Sequence, residues 1–114
     1  MSQPTRRTGF DAYDVALEIV AAVTPLIDRV RRRDPDLGKQ MRRALTSIAL
    51  NLAEGRRRQG KDRHYHYTIA AGSADEVAAA LDVAAVSGWL ESRAVKPALS
   101  LLDRELAMIW RLTH

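Results

Sequence analysis

At 114 residues, with 46% hydrophobic and 28% charged side chains, the chain has room for one domain with a real core, and its balance excludes a disordered chain. It contains no cysteine, which removes disulfides, thiolate metal sites and thiol nucleophiles and fits a reducing compartment. The net charge is +4, and all of the surplus lies in residues 29–63, where twelve Lys/Arg stand against four Asp/Glu; such a balance points to an acidic partner rather than a basic one.

Residues 1–9 are polar and carry Pro4, Arg6, Arg7 and Gly9, the composition of a mobile tail. They lack the apolar core of a signal peptide, and no later apolar run is long enough to span a bilayer. The expected setting is the cytoplasm, with no membrane contact. The remaining residues, 10–114, read as one unit of four helices at about 11–33, 35–56, 62–87 and 93–113.

The first helix has Asp11 and Asp14 near its positive end and Arg31, Arg32 and Arg33 near its negative end. Tyr13, Leu17, Val20, Ile27 and Val30 form one face, with Ala16, Ile19, Val23 and Leu26 beside it. Pro25 sits in the interior, so a bend is expected near residues 21–25. Asp34-Pro35 reads as an N-cap followed by proline at the first helical position. The connection is therefore very short, and the first two helices must be antiparallel.

The second helix carries an apolar stripe of Leu37, Met41, Leu45, Ile48 and Leu52, beside a small or polar stripe of Ala44, Ser47, Asn51 and Glu54. Gly55 is placed as the left-handed residue that ends it. Arg42 and Arg43 lie within the helix, and Arg56, Arg57 and Arg58 follow it. The third helix is capped by Asp62 and is rich in alanine. Tyr65, Ile69, Gly72 or Ser73, Glu76, Ala80, Val83 and Ser87 follow one of its faces, and Gly72 in mid-helix suggests a close packing contact. The fourth helix has a stripe of Val95, Leu99, Leu102, Leu106 and Ile109. The economical assembly is an all-α, antiparallel up-down-up-down four-helix bundle. Apolar positions off the stripes, such as Leu101, Met108 and Trp110, are either core edge or a surface for another subunit.

Asn51 and Glu54 on the second helix are placed to reach Ser73 and Glu76 on the third as a buried polar network that fixes register. The competing reading is a carboxylate pair for acid/base work or a metal. No Glu has a His three residues on, and His64 and His66, two residues apart, point to different sides of a helix, so no metal and no cofactor are expected. No serine elbow or glycine-rich phosphate loop is present, and the chain does not read as an enzyme.

The charge surplus reads as a solvated face or as a polyanion contact. Clustered arginines favour the second, because the planar guanidinium presents a fork of donors to phosphate. Arg31-Arg32-Arg33 and Arg56-Arg57-Arg58 bracket the second helix and are expected to gather at one rim of the bundle. Tyr65 and Tyr67, with His64 and His66, could stack bases beside them.

Arg42-Arg43-Ala44, Ser47-Ile48 and Asn51-Leu52-Ala53-Glu54-Gly55 together resemble the signature R-R-A-x-x-S-I-x-x-N-x-A-E-G. Residues 70–76, Ala-Ala-Gly-Ser-Ala-Asp-Glu, resemble a second motif, A-x-G-S-x-x-E. Both are similar to motifs of the four-helix-bundle family of rRNA intervening sequences, which includes the accessory variability determinant proteins of diversity-generating retroelements. The resemblance implies a ring-shaped homo-oligomer, a homopentamer, that binds RNA and a reverse transcriptase through basic surface, carried here onto Arg31, Arg32, Arg33, Arg42, Arg43, Arg56, Arg57, Arg58, Lys61 and Arg63. It thereby implies a non-catalytic accessory protein acting on RNA or DNA. The alternative is a structural or scaffolding oligomer whose basic cluster docks a protein partner and has no nucleic-acid role.

Overall fold

Four helices account for nearly all of the described chain: α1 (Asp11–Arg33), α2 (Pro35–Arg56), α3 (Gly60–Val86) and α4 (Ser92–Thr113), with no strand among the described residues. The computed structural model describes residues 7–114; positions 1–6, with Arg6 and most of the expected mobile tail, lie outside the described residues. The tail does not run free to residue 9 as expected. Thr8 donates its N–H to both oxygens of Asp14 at 3.0 and 3.2 Å and its hydroxyl to one of them at 2.8 Å.

Asp34 alone separates α1 from α2. Its extended backbone (φ −144°, ψ 94°) is what a residue preceding proline favours. Its N–H donates to the Val30 carbonyl at 2.8 Å and closes α1. Its carboxylate accepts from the Leu37 N–H at 3.0 Å and caps α2. So tight a corner also needs Gly38, where a Cβ would lie 2.7 Å from Cγ of Arg31. Replacing Asp34 by Ala should lower stability by about 1 kcal/mol. The readout is a lower urea midpoint at unchanged slope; an unmoved midpoint would show that the cap contributes nothing.

Each helix packs on the next, and α4 closes on α1. The result measures 42 × 27 × 20 Å. The core takes Ile19, Val23, Ile27 and Val30 from α1, Met41, Leu45, Ile48 and Leu52 from α2, and Val95, Leu102 and Ile109 from α4, all buried. Of the wide stripe expected on α1, Ala16, Ile19 and Val23 are fully inside, while Tyr13, Leu17 and Val20 are only half-buried. No break interrupts α1 at Pro25, which is exposed. Ala21, whose carbonyl loses its helical partner there, is exposed as well, and the Thr24 hydroxyl donates to the Val20 carbonyl at 2.6 Å.

The inward face of α3 differs most from expectation. Tyr67, Ala70, Ala74, Val77, Leu81 and Ala84 are buried, whereas Tyr65, Glu76 and Val83 are exposed. Alanines lie on every side of this helix, so apolarity alone does not mark which side turns inward. The small side chains let α3 sit close to α2, and these two helices share the most extensive contact in the fold. Gly72 is not a close-packing position among the described residues: it is exposed, and a Cβ there would meet none of them within 4 Å. Gly55 is not the left-handed terminator of α2 either. It lies inside the helix with ordinary helical φ. Its role is steric: a Cβ there would lie 2.6 Å from Cε1 of Tyr67.

After α3 the chain folds back through Leu90, which is buried. Arg29 on α1 grips Glu91 with two hydrogen bonds of 3.0 and 2.9 Å. The hydrogen bond from Arg29 is the main reason the Glu91 carboxyl is held down at about 2. Two buried positions among the described residues are charged by type: Asp14, which accepts from Thr8, and Glu105. Glu105 on α4 is fully buried, and neither carboxylate oxygen has a hydrogen-bond partner among the described residues. Burial pushes this carboxyl up to about 8. No helix among the described residues is long and apolar enough to cross a membrane.

Candidate nucleic-acid interface

The basic residues do not share one rim. At about 1.5 Å per residue, the 22 residues of α2 span about 33 Å. Arg31, Arg32 and Arg33 end α1 beside the start of α2, while Arg56, Arg57 and Arg58 sit at its far end with Lys61 and Arg63. Arg42 and Arg43 lie between. The sequence runs bracket a helix, and its length holds them apart. The arrangement is a track with two ends.

All ten of these side chains belong to exposed residues, but they are not equally available. Arg58 is bound to Glu54 four residues back, with its Nε donating at 3.1 Å, and the pair is largely exposed. The Arg58 hydrogen bond holds the Glu54 carboxyl below its ordinary range. Arg63 donates from Nε to the Gly55 carbonyl at 3.2 Å and from Nη2 to the Arg56 carbonyl at 3.0 Å. It thereby satisfies carbonyls at the C-terminus of α2, where a cation is favoured. Arg56 lies over the ring of Phe10, with its guanidinium carbon 5.2 Å from the centroid. The others have no hydrogen-bond or ion-pair partner among the described residues.

Two open clefts flank this track. At mid-helix, Lys39, Arg42, Arg43, Thr46, Ser47, Leu50 and Asn51 line a groove of about 500 Å³. At the far end, Thr8, Phe10, Tyr13, Ala53, Arg56 and Arg57 line a cleft of about 460 Å³. The second has aromatic walls. Phe10 is itself backed by Tyr67, with ring centroids 6.2 Å apart. Sequence reading missed Phe10 and Tyr13 as site residues. Their signal is a spacing of three, which puts both beside the N-terminal turn of α1. The tyrosines proposed to stack bases divide: Tyr65 is exposed, and Tyr67 is core.

The polar residues between α2 and α3 form a chain of hydrogen bonds with a different membership from the expected one. Ser73 donates to the Ser47 hydroxyl at 2.8 Å. Asn51 donates from Nδ2 to the carbonyl and hydroxyl oxygens of Ser47, both at 3.0 Å. Its Oδ1 is 2.9 Å from Nδ1 of His66, and since that oxygen only accepts, His66 carries its proton on Nδ1. Glu54 is outside this chain, held by Arg58, and Glu76 faces solvent. Ser47, Asn51 and Gly55 recur every four residues and make one ridge against α3, whereas Glu54 lies off that ridge. Ser47, Asn51 and Ser73 of the motifs thus dock two helices, while the arginines face out.

The family model of the 23S rRNA-intervening sequence protein matches residues 9–111. The chain belongs to this family. Among solved structures, the 23S rRNA-intervening sequence fold seen here is similar to a crystal structure from Bacteroides thetaiotaomicron VPI-5482, a protein of unknown function from the S23 ribosomal protein family. The two share 18% identity over 90% of this chain and 97% of that one, with a TM-score of 0.80. At that identity the likeness concerns the fold. Comparison with curated proteins gives no match.

Proposed function

We propose that this family member is a non-catalytic, homo-oligomeric nucleic-acid-binding accessory protein that holds RNA or DNA by its phosphates. The observation that carries the reading is the exposed, unpartnered guanidinium track along α2. About 33 Å of helix corresponds to roughly ten base steps of duplex, so successive phosphates can meet Arg31, Arg32 and Arg33, then Arg42 and Arg43, then Arg57. Contacts of this kind bind tightly and discriminate sequence weakly. The family's link to 23S rRNA intervening sequences supports an RNA setting. Assembly as a five-fold ring and partnership with a reverse transcriptase, as in the similar accessory variability determinant proteins, extend the same proposal.

Gel shifts with RNA, single-stranded DNA and duplex DNA over a salt series test it. Changing both Arg42 and Arg43 to Ala should weaken every complex and flatten the salt slope by about 0.7 to 0.9 per lost phosphate contact. Changing Arg58 or Arg63 to Ala should leave the slope alone, since both are committed within the protein. No binding by the wild type at high micromolar protein would sink the proposal. That result would favour the second reading, a scaffolding oligomer for a protein partner, which the exposed Leu50, Val83, Val86 and Trp110 support.

A further inference from the structure

The two clefts on the arginine track differ in chemistry. The mid-helix groove offers Lys39, Arg42 and Arg43 beside Leu50, with no aromatic ring among the described residues that line it, so it has cations for phosphate but nothing to stack a base. The end cleft offers two guanidiniums with Phe10 and Tyr13, and among the described residues no carboxylate lines it. The acidic groups adjacent in sequence to its lining are engaged: Glu54 with Arg58, Asp11 with Arg7, and buried Asp14 with Arg7 and Thr8. The wall is also held in place. Thr8 is fixed by three hydrogen bonds to Asp14, and the Arg56 guanidinium lies over Phe10, which rests on Tyr67. At about 460 Å³ the cleft falls in the size range of small-ligand pockets, which starts at about 300 Å³.

The geometry points to a subsite for one unpaired nucleotide in this cleft, its base stacked on the planes of Tyr13 and Arg56 and its phosphate on Arg57. The assignment rests on the nucleic-acid reading above and narrows it to single strands or frayed ends. A paired base has no free face to insert. Aromatic and guanidinium planes accept any base, so the subsite selects for strand state and not for sequence. The rest of the strand would follow the phosphate track toward Arg42 and Arg43.

The test uses the full chain in fluorescence anisotropy with three RNA probes: an octa-adenylate, the same octamer carrying abasic sites, and a 16-base-pair blunt duplex. Wild type should bind octa-adenylate about five- to tenfold more tightly than the abasic octamer. Tyr13→Leu should erase that preference while leaving duplex affinity within about twofold, and Tyr13→Phe should keep it. Wild type binding the two octamers equally would overturn the subsite without any variant, and so would Tyr13→Leu weakening all probes alike. If the Arg42→Ala, Arg43→Ala variant still loses affinity in those cases, the phosphate track survives and only the subsite falls. If wild type binds none of the probes, both fall together.

Discussion

Replacing Glu105 by Met should stabilise the protein by about 3 kcal/mol at pH 7, an order-of-magnitude figure, and by much less at pH 5. The carboxyl is fully buried without a hydrogen-bond partner among the described residues, and its proton is held up to about 8 against an ordinary 4.5. Desolvation is the main cause, opposed by Arg104 and helped by Glu18. Below about 4.5 both folded and unfolded states keep the proton, so the group contributes no pH dependence. Between 4.5 and 8 the unfolded chain releases it while the native state retains it. The native state then binds more protons, and stability falls as pH rises. Above 8 both are ionised and the loss is complete. Glu54 and Glu91 have lowered carboxyls, so their contributions are lost only as pH falls below the ordinary carboxylate range, outside this window. Urea midpoints of wild type and Glu105→Met at pH 5, 7 and 8.5, at one protein concentration, isolate the effect. The difference should widen with pH. A constant difference would mean that the carboxyl does not titrate abnormally. Glu105→Gln should remove the pH dependence yet recover less stability, because its amide is also buried without a partner.

Glu105 shows why some of the fold is legible and some is not. Sequence reading put Leu106, not Glu105, between Leu102 and Ile109 on the apolar stripe, since charge argues for the surface. Yet a spacing of three from Leu102 and four from Ile109 sets Glu105 on the same side, and it is the one fully buried. Spacing prevails because α4 is fixed by its larger neighbours. The second helix was readable for the converse reason: Asp34-Pro35 marks its start by a cap with a mechanism, and Met41, Leu45, Ile48 and Leu52 occupy one side only. In α3 the alanines leave its rotation undetermined, and only contact with α2 decides that Tyr67 faces in and Tyr65 out. The arginine runs were readable as charge. Their separation was not, since it depends on the length of α2 rather than on local composition. Nor was the loss of Arg58 and Arg63 to internal partners, which depends on where the helix ends.

Replacing Gly55 by Ala should destabilise the protein by about 1–2 kcal/mol, although a helix-interior glycine ordinarily costs about 1 kcal/mol against alanine and the exchange would then be a gain. The sign turns on Tyr67. An alanine Cβ would stand 2.6 Å from Cε1 and 2.8 Å from Cδ1 of the ring, and 3.1 Å from Cβ of His66. The ring is buried and braced by Phe10, which carries Arg56 on its face, so it cannot swing aside without disturbing the end cleft. Moving α3 away instead would stretch the 2.9 Å contact between His66 and Asn51. A double-mutant cycle with Tyr67→Ala separates propensity from collision. Alone, Tyr67→Ala should cost about 3–5 kcal/mol, as other buried aromatic truncations do. In that background the obstacle is gone, and Gly55→Ala should become stabilising by about 1 kcal/mol. A reversal of sign between the two backgrounds, read from urea midpoints, is the expected result. Stabilisation in both would show that the ring yields easily, and the glycine would then have no role in bringing α2 and α3 together.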